Sequence, residues 1–227
     1  MDEQRAGHVM IDIETLSSHP DAAILSIGAV RCNADWEFSP NQPFREFYAN
    51  VTLQSCLDWG LKIEGRTFYW WLAQHPHAQK ALSEPAPESL ELVLMKLTHW
   101  LAWDNIPGAG YKTEEYVWSH GNTFDQPILH FAHQRIGREI PWHYRKSRDT
   151  RTLFWLVHEF MGKVKVKPSE KHHALTDAYR QMKHVALAVK VLDGLNQDAL
   201  RWEESCRAKK DVTILELTPT PSAGLSS

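Results

Sequence analysis

The chain has 227 residues, 43% hydrophobic and 23% charged, enough to bury a full core as one domain. A formal net charge of −3 does not advertise a nucleic-acid binder, although local patches decide that more than the sum does. Cys32, Cys56 and Cys206 lie far apart without a C-x-x-C pair, which argues against a structural zinc site and for a reducing setting.

The opening "MDEQRAGH" is acidic and polar, with no apolar signal region. No run of roughly 18 apolar residues follows, so no membrane span is expected and the reading is a soluble cytoplasmic protein. "HVMIDIETL" then reads as a buried strand, "AILSIGAVRC" as a second and "FREFYANV", alternating with period two, as a third. Their short connections predict an antiparallel meander. "EGRTFYWWLAQHPHAQKAL" is a helical stretch interrupted at Pro76, and "PESLELVLMKLTHWLAW" is a helix with Pro87 near its start. "EEYVWSHG" is a fourth strand. "FDQPILHFAHQRIG" is a helix with Pro127 in its first turn and Gly137 at its end.

"RDTRTLFWLVHEF" is a further helix candidate, "VKVKPSEKHH" a basic connector, and "ALTDAYRQMKHVALAVKVL" the strongest helical pattern. The Pro/Ser-rich end, 218–227, is expected to be a disordered tail behind a single domain at 1–217. The order predicts one mixed α/β domain with helices packed on a sheet.

The first strand raises a physical problem. Asp12 and Glu14 point to the same face of it, where like charges repel and burial of either costs several kcal/mol. A divalent cation is the simplest remedy. Asp125 follows "SHGNTF", where a strand gives way to a helix, and Asp177 lies early in the last helix, five residues after His172. Mg²⁺ or Mn²⁺ takes hard oxygen ligands, and two such ions ~3.5–4 Å apart activate a water and stabilise the leaving oxygen of a phosphodiester.

"IDIETL", "HGNTFDQPIL" and "HHALTDA" resemble, in order, the three motifs of the DEDDh 3′-5′ exonucleases. "DAAILSIGAV", "SCLDWGLKIEGRTFYWW" and "SRDTRTL" resemble more narrowly the phage and prophage exonuclease VIII-like branch, with its small exoribonuclease relatives. The resemblance implies a ribonuclease H-like fold, with a mixed five-stranded sheet flanked by helices. It implies that Asp12, Glu14, Asp125 and Asp177 hold two metal ions, and that His172 is the general base. It also places Thr15, Leu16, Asn122 and Phe124 near the terminal nucleotide. The partner is then nucleic acid, with DNA at single-stranded or frayed 3′ ends expected first and RNA as the alternative. A binding module without catalysis is the non-enzyme reading, and a homodimer is expected by analogy with relatives.

Other assignments stay open at this level. His173 competes with His172, though the spacing to Asp177 selects His172. Trp70 and Trp71 either belong to the core, as their helical spacing suggests, or line the nucleotide cleft. Asp149 reads as a helix cap or a partner for Arg148 or Arg151 before it reads as a site acid. The lysines of "KVKVKPSEK" read as a solvated loop or as phosphate-steering groups.

Overall fold

The computed structural model describes residues 6–38, 45–74, 76–83, 87–102, 112–161 and 172–208. The expected meander forms: β1 (His8–Thr15), β2 (Ile24–Cys32) and β3 (Glu46–Asn50) pair antiparallel in sequence. After β3 the chain runs through α1 (Leu53–Asp58), α2 (Gly65–Leu72), α3 (Pro76–Gln79), a 3₁₀ turn and α4 (Leu90–Leu101). The long helical stretch read from 64 to 82 is thus broken just before Pro76, whose ring and missing N–H oppose continuation.

β4 (Tyr116–Ser119) then inserts parallel to β1, and α5 (Asp125–Arg135) follows, ended by Gly137 at φ +71°. β5 (Ser147–Asp149) pairs parallel to β4, giving the order β3-β2-β1-β4-β5. With three residues, β5 is too short to show an alternation in the sequence. α6 (Thr150–Met161) and α7 (Ala174–Ala208) complete the described elements. The chain divides into units 1–189 and 190–227, and everything below concerns the first. The tail at 218–227 and the lysine-rich run at 163–171 lie outside the described residues.

Alternation along β1 separates two cores. Val9, Ile11 and Ile13 pack in a cluster with Val93, Leu94 and Leu97 of α4 and with Ile128, Leu129 and Ala132 of α5. Met10 belongs instead to a cluster with Val30, Trp118 and the α7 residues Ala178, Met182 and Val185. Asp12 and Glu14 continue the Met10 row, so both acids project on the side that α7 covers.

The start of α7 comes unusually close to the sheet. A Cβ on Gly28, which pairs with Asp12 across β1 and β2, would lie 2.2 Å from the Leu175 nitrogen and 2.3 Å from the Ala174 carbonyl carbon. Both neighbours are backbone and cannot rotate aside, so only glycine lets the helix sit there. Gly28→Ala is therefore expected to lift the helix and destabilise the fold by about 1–3 kcal/mol. Thermal denaturation checks this, and a melting temperature equal to the parent's would show that the contact is dispensable.

Candidate active site

Three elements deliver the acids. β1 carries Asp12 and Glu14, the first residue of α5 is Asp125, and the first turn of α7 carries Asp177. One carboxylate oxygen from each of Asp12, Glu14 and Asp177 lies within 4.8 Å of the others. Asp125 joins them from below, its Oδ1 accepting the Ile13 N–H at 3.3 Å between the two β1 acids. Glu14, Asp125 and Asp177 are 8%, 3% and 6% exposed, so water does little to screen them.

The electrostatics follow from this crowding. Asp12 is held well above the usual carboxylate range, first by burial and then by Asp125, Glu14 and Asp177, with only the Gln181 amide opposing. Burial, with Asp177 and Asp125 adding to it, pushes Glu14 up to about 8. Burial raises Asp125 to about 7 against the Ile13 N–H, its own backbone N–H and Arg151. All the donors are hard carboxylate oxygens, and their mutual repulsion is what a divalent cation relieves. The residues present therefore fit Mg²⁺ or Mn²⁺, with Asp12, Glu14, Asp125 and Asp177 able to hold it.

The two adjacent histidines have different surroundings. The His172 ring meets Trp70 and Trp71 edge-on, with centroids 5.0 and 5.9 Å apart, and its backbone N–H donates to Asp177 Oδ2 at 2.8 Å. The His173 ring stacks on Tyr48 at 4.7 Å and 14°, and its Nδ1 accepts the Thr176 N–H at 3.4 Å at the start of α7. His173 thus serves as a local cap, and His172 is the imidazole placed beside the tryptophans.

Next to Glu14 opens a cleft of about 170 Å³, lined by Thr15, Thr67, Trp70, Trp71 and Phe124 among others. Both readings of the tryptophans hold in part. Trp71 is 1% exposed and donates its indole N–H to the Thr15 carbonyl at 2.9 Å, whereas Trp70 is 43% exposed. Leu16, just past the register shift that ends the regular pairing of β1, is 1% exposed, packs in the core and lines a separate cavity with Leu25 and Phe68. Asn122 gives its backbone N–H to Asp149. Asp149 also accepts from the Gly121 N–H at 3.2 Å, the Arg151 N–H at 3.1 Å and the Thr152 hydroxyl at 2.9 Å, the cap geometry expected of it.

Several side chains at the site were not singled out from the sequence. Gln181 Nε2 donates to Asp12 Oδ1 at 2.7 Å, and Arg180 ion-pairs with Asp177. Their signal was available, since positions three and four beyond Asp177 share its helix face. Arg151 and His120, from the ends of β5 and β4, carry no such spacing signal.

Over residues 7–189 the sequence matches the family described as the 3′-5′ exoribonuclease Rv2179c-like domain. The chain belongs to that family. No curated protein sequence matches it. Among solved structures it is similar to cell-death related nuclease 4 (CRN-4), with a TM-score of 0.57 and 11% identity over 83% of this chain and 65% of that one. It is also similar to E. coli exonuclease I in complex with a dT13 oligonucleotide, with a TM-score of 0.56 and 13% identity over 84% of this chain and 43% of the other. A third is the nuclease domain of 3′hExo, a DEDDh family member bound to rAMP, with a TM-score of 0.50 and 14% identity over 84% and 94%. The chain therefore spans about two thirds of CRN-4 and less than half of exonuclease I. These likenesses establish the ribonuclease H-like exonuclease fold, as the sheet order already indicated.

The raised acids set a pH dependence whose sign is fixed. Glu14 at about 8 and Asp125 at about 7 hold protons that the unfolded chain releases near pH 4, so without divalent cation their contribution to stability is fully present below pH 4 and is lost as pH rises toward 8. A bound cation favours the ionised acids and offsets the loss. Melting temperatures in EDTA should fall between pH 5.5 and 8, and added Mn²⁺ should raise them more at pH 8 than at pH 6. A Mn²⁺ effect that does not depend on pH would contradict this account.

Proposed function

We propose that this protein is a divalent-metal-dependent 3′-5′ exonuclease that removes 5′-mononucleotides from the 3′ end of RNA. The observation that carries the proposal is the convergence of the Asp12, Glu14 and Asp177 oxygens within 4.8 Å, with Asp125 bonded between the β1 acids. When bound, a pair of Mg²⁺ or Mn²⁺ ions supplies an activated water and neutralises charge on the phosphate. Asp12, Glu14, Asp125 and Asp177 are the residues that would hold it.

The rest of the reaction falls to the chain's own side chains. His172 accepts the proton of the attacking water, the general-base role that an imidazole nitrogen can fill. Trp71 is fixed by its bond to the Thr15 carbonyl and holds the His172 ring from one side. Trp70, Phe124 and Thr15 line the adjacent cleft, where aromatic faces suit the terminal base. Excluding bulk water from this wall strengthens each polar contact inside it.

The description of the matching family supports RNA as the substrate. The exonuclease VIII-like stretches "DAAILSIGAV" and "SCLDWGLKIEGRTFYWW" support DNA as the second reading. Both readings use the same acids and differ in whether contacts discriminate the 2′-hydroxyl. A digest of 5′-labelled RNA and DNA of matched sequence, single- and double-stranded, with Mg²⁺, Mn²⁺ or EDTA, decides between them. Faster loss of 3′ nucleotides from single-stranded RNA, abolished by EDTA and by Asp12→Ala, is the expected result. No shortening of any substrate with either metal would refute the enzyme reading. His172→Ala should lower turnover by about 10²–10⁴-fold with Mn²⁺-induced stabilisation retained, and unimpaired turnover would move the base to His173.

A further inference from the structure

A strand entering this site brings phosphates beyond the one that is cut, and the acid cluster repels them. The aromatic cleft follows the C-terminal end of β1, through Thr15, Ser17 and Ser18. The C-terminal ends of β4 and β5, on the other flank of the acids, are furnished quite differently. Arg151, the second residue of α6, is exposed and lies along the turn that leads from β4 to Asp125. Its guanidinium carbon and Nε are 3.2 Å from where a Cβ on Gly121 would stand, and Gly121 at φ +97° holds a backbone conformation that favours glycine. No carboxylate among the described residues forms an ion pair with Arg151, although Asp149, two residues before it, caps its helix.

Arg180 stands nearby on α7, held by Asp177. His120, whose Nδ1 lies 2.8 Å from the Thr150 hydroxyl, is within electrostatic reach of both guanidiniums. Burial first, then Arg151 and Arg180, keep its pKa below the ordinary histidine value, so it adds no third positive charge.

We propose that Arg151, assisted by Arg180, binds the phosphate immediately upstream of the scissile one, and so sets the direction in which the strand crosses the acids. The terminal base lies on the Trp70 and Phe124 side, and the rest of the chain leaves over the ends of β4 and β5. A planar guanidinium that has no ion-pair partner among the described residues is suited to bidentate contact with a phosphodiester. The inference rests on the exonuclease reading above and names a substrate contact for it.

The test compares the parent, Arg151→Ala and Arg151→Lys on two substrates. One is a single-stranded oligoribonucleotide. The other is the p-nitrophenyl ester of a nucleoside 5′-monophosphate, which offers a scissile phosphate and no upstream one. For Arg151→Ala the oligonucleotide KM should rise about tenfold while kcat changes about twofold or less. The ratio of kcat/KM for the oligonucleotide to that for the ester should fall about tenfold. The salt dependence of oligonucleotide binding, followed by fluorescence anisotropy in Ca²⁺, should flatten by about 0.7 in log–log slope, one phosphate contact's share. Arg151→Lys should restore part of each loss. Equal losses on the two substrates, or an unaltered salt slope, would overturn the assignment. The anisotropy arm reads strand binding whether or not either substrate is cut, so a failure of the exonuclease reading itself stays distinguishable.

Discussion

The site depends on like charge held at close quarters. Asp12, Glu14, Asp125 and Asp177 come from β1, α5 and α7, and each would be more stable in water than beside the others. What holds them together is packing elsewhere. Met10 and Trp118 seat α7 through Ala178, Met182 and Val185, while Ile13, Ile128 and Leu129 seat α5 on the opposite face. The hydrophobic clusters on both sides of the sheet supply the free energy that the carboxylates cost, and Gly28 lets α7 come near enough for Asp177 to reach the β1 acids. This is the pattern expected where a fold spends stability to preorganise a metal-binding site.

Around the acids the surroundings are unlike on different flanks. Trp70, Trp71 and Phe124 give an apolar wall beside Glu14, while Arg151, Arg180 and His120 give a polar, cationic one beside Asp125 and Asp177. A nucleotide is itself divided this way, with a flat base at one end and a charged phosphate at the other. The asymmetry of the cleft therefore corresponds to that of the substrate proposed above.

Much of this was legible in the sequence, for definite reasons. The β1 row was readable because a strand's period of two forces Asp12 and Glu14 together, and Pro127 and Gly137 marked the ends of α5 by their backbone constraints. Asp149 was correctly read as a cap, since Thr152 stands at the third helical position after it. β5 was not legible because its three residues are positioned by pairing with β4 rather than by any pattern of their own. Leu16 was placed near the terminal nucleotide by resemblance alone, and its burial in the core follows from the register shift at the end of β1, which no sequence pattern announces. Trp70 and Trp71 could not be separated by spacing, because neighbouring positions on one turn can differ completely in exposure. Arg151 approaches the acids only through the fold, by way of the Gly121 turn.

Asp177 has one more consequence. Its two oxygens are divided between Arg180 and the main chain of His172, whose φ of +66° lies in the left-handed region that a non-glycine residue occupies at a cost of about 1–3 kcal/mol. The carboxylate is thus also the tether that keeps an unfavourable backbone bend in place, and the imidazole rides on that bend. The acid cluster and the proposed proton acceptor are mechanically linked through a single side chain. Lengthening that side chain by one methylene, with its charge intact, would swing the imidazole out of register as surely as deleting it.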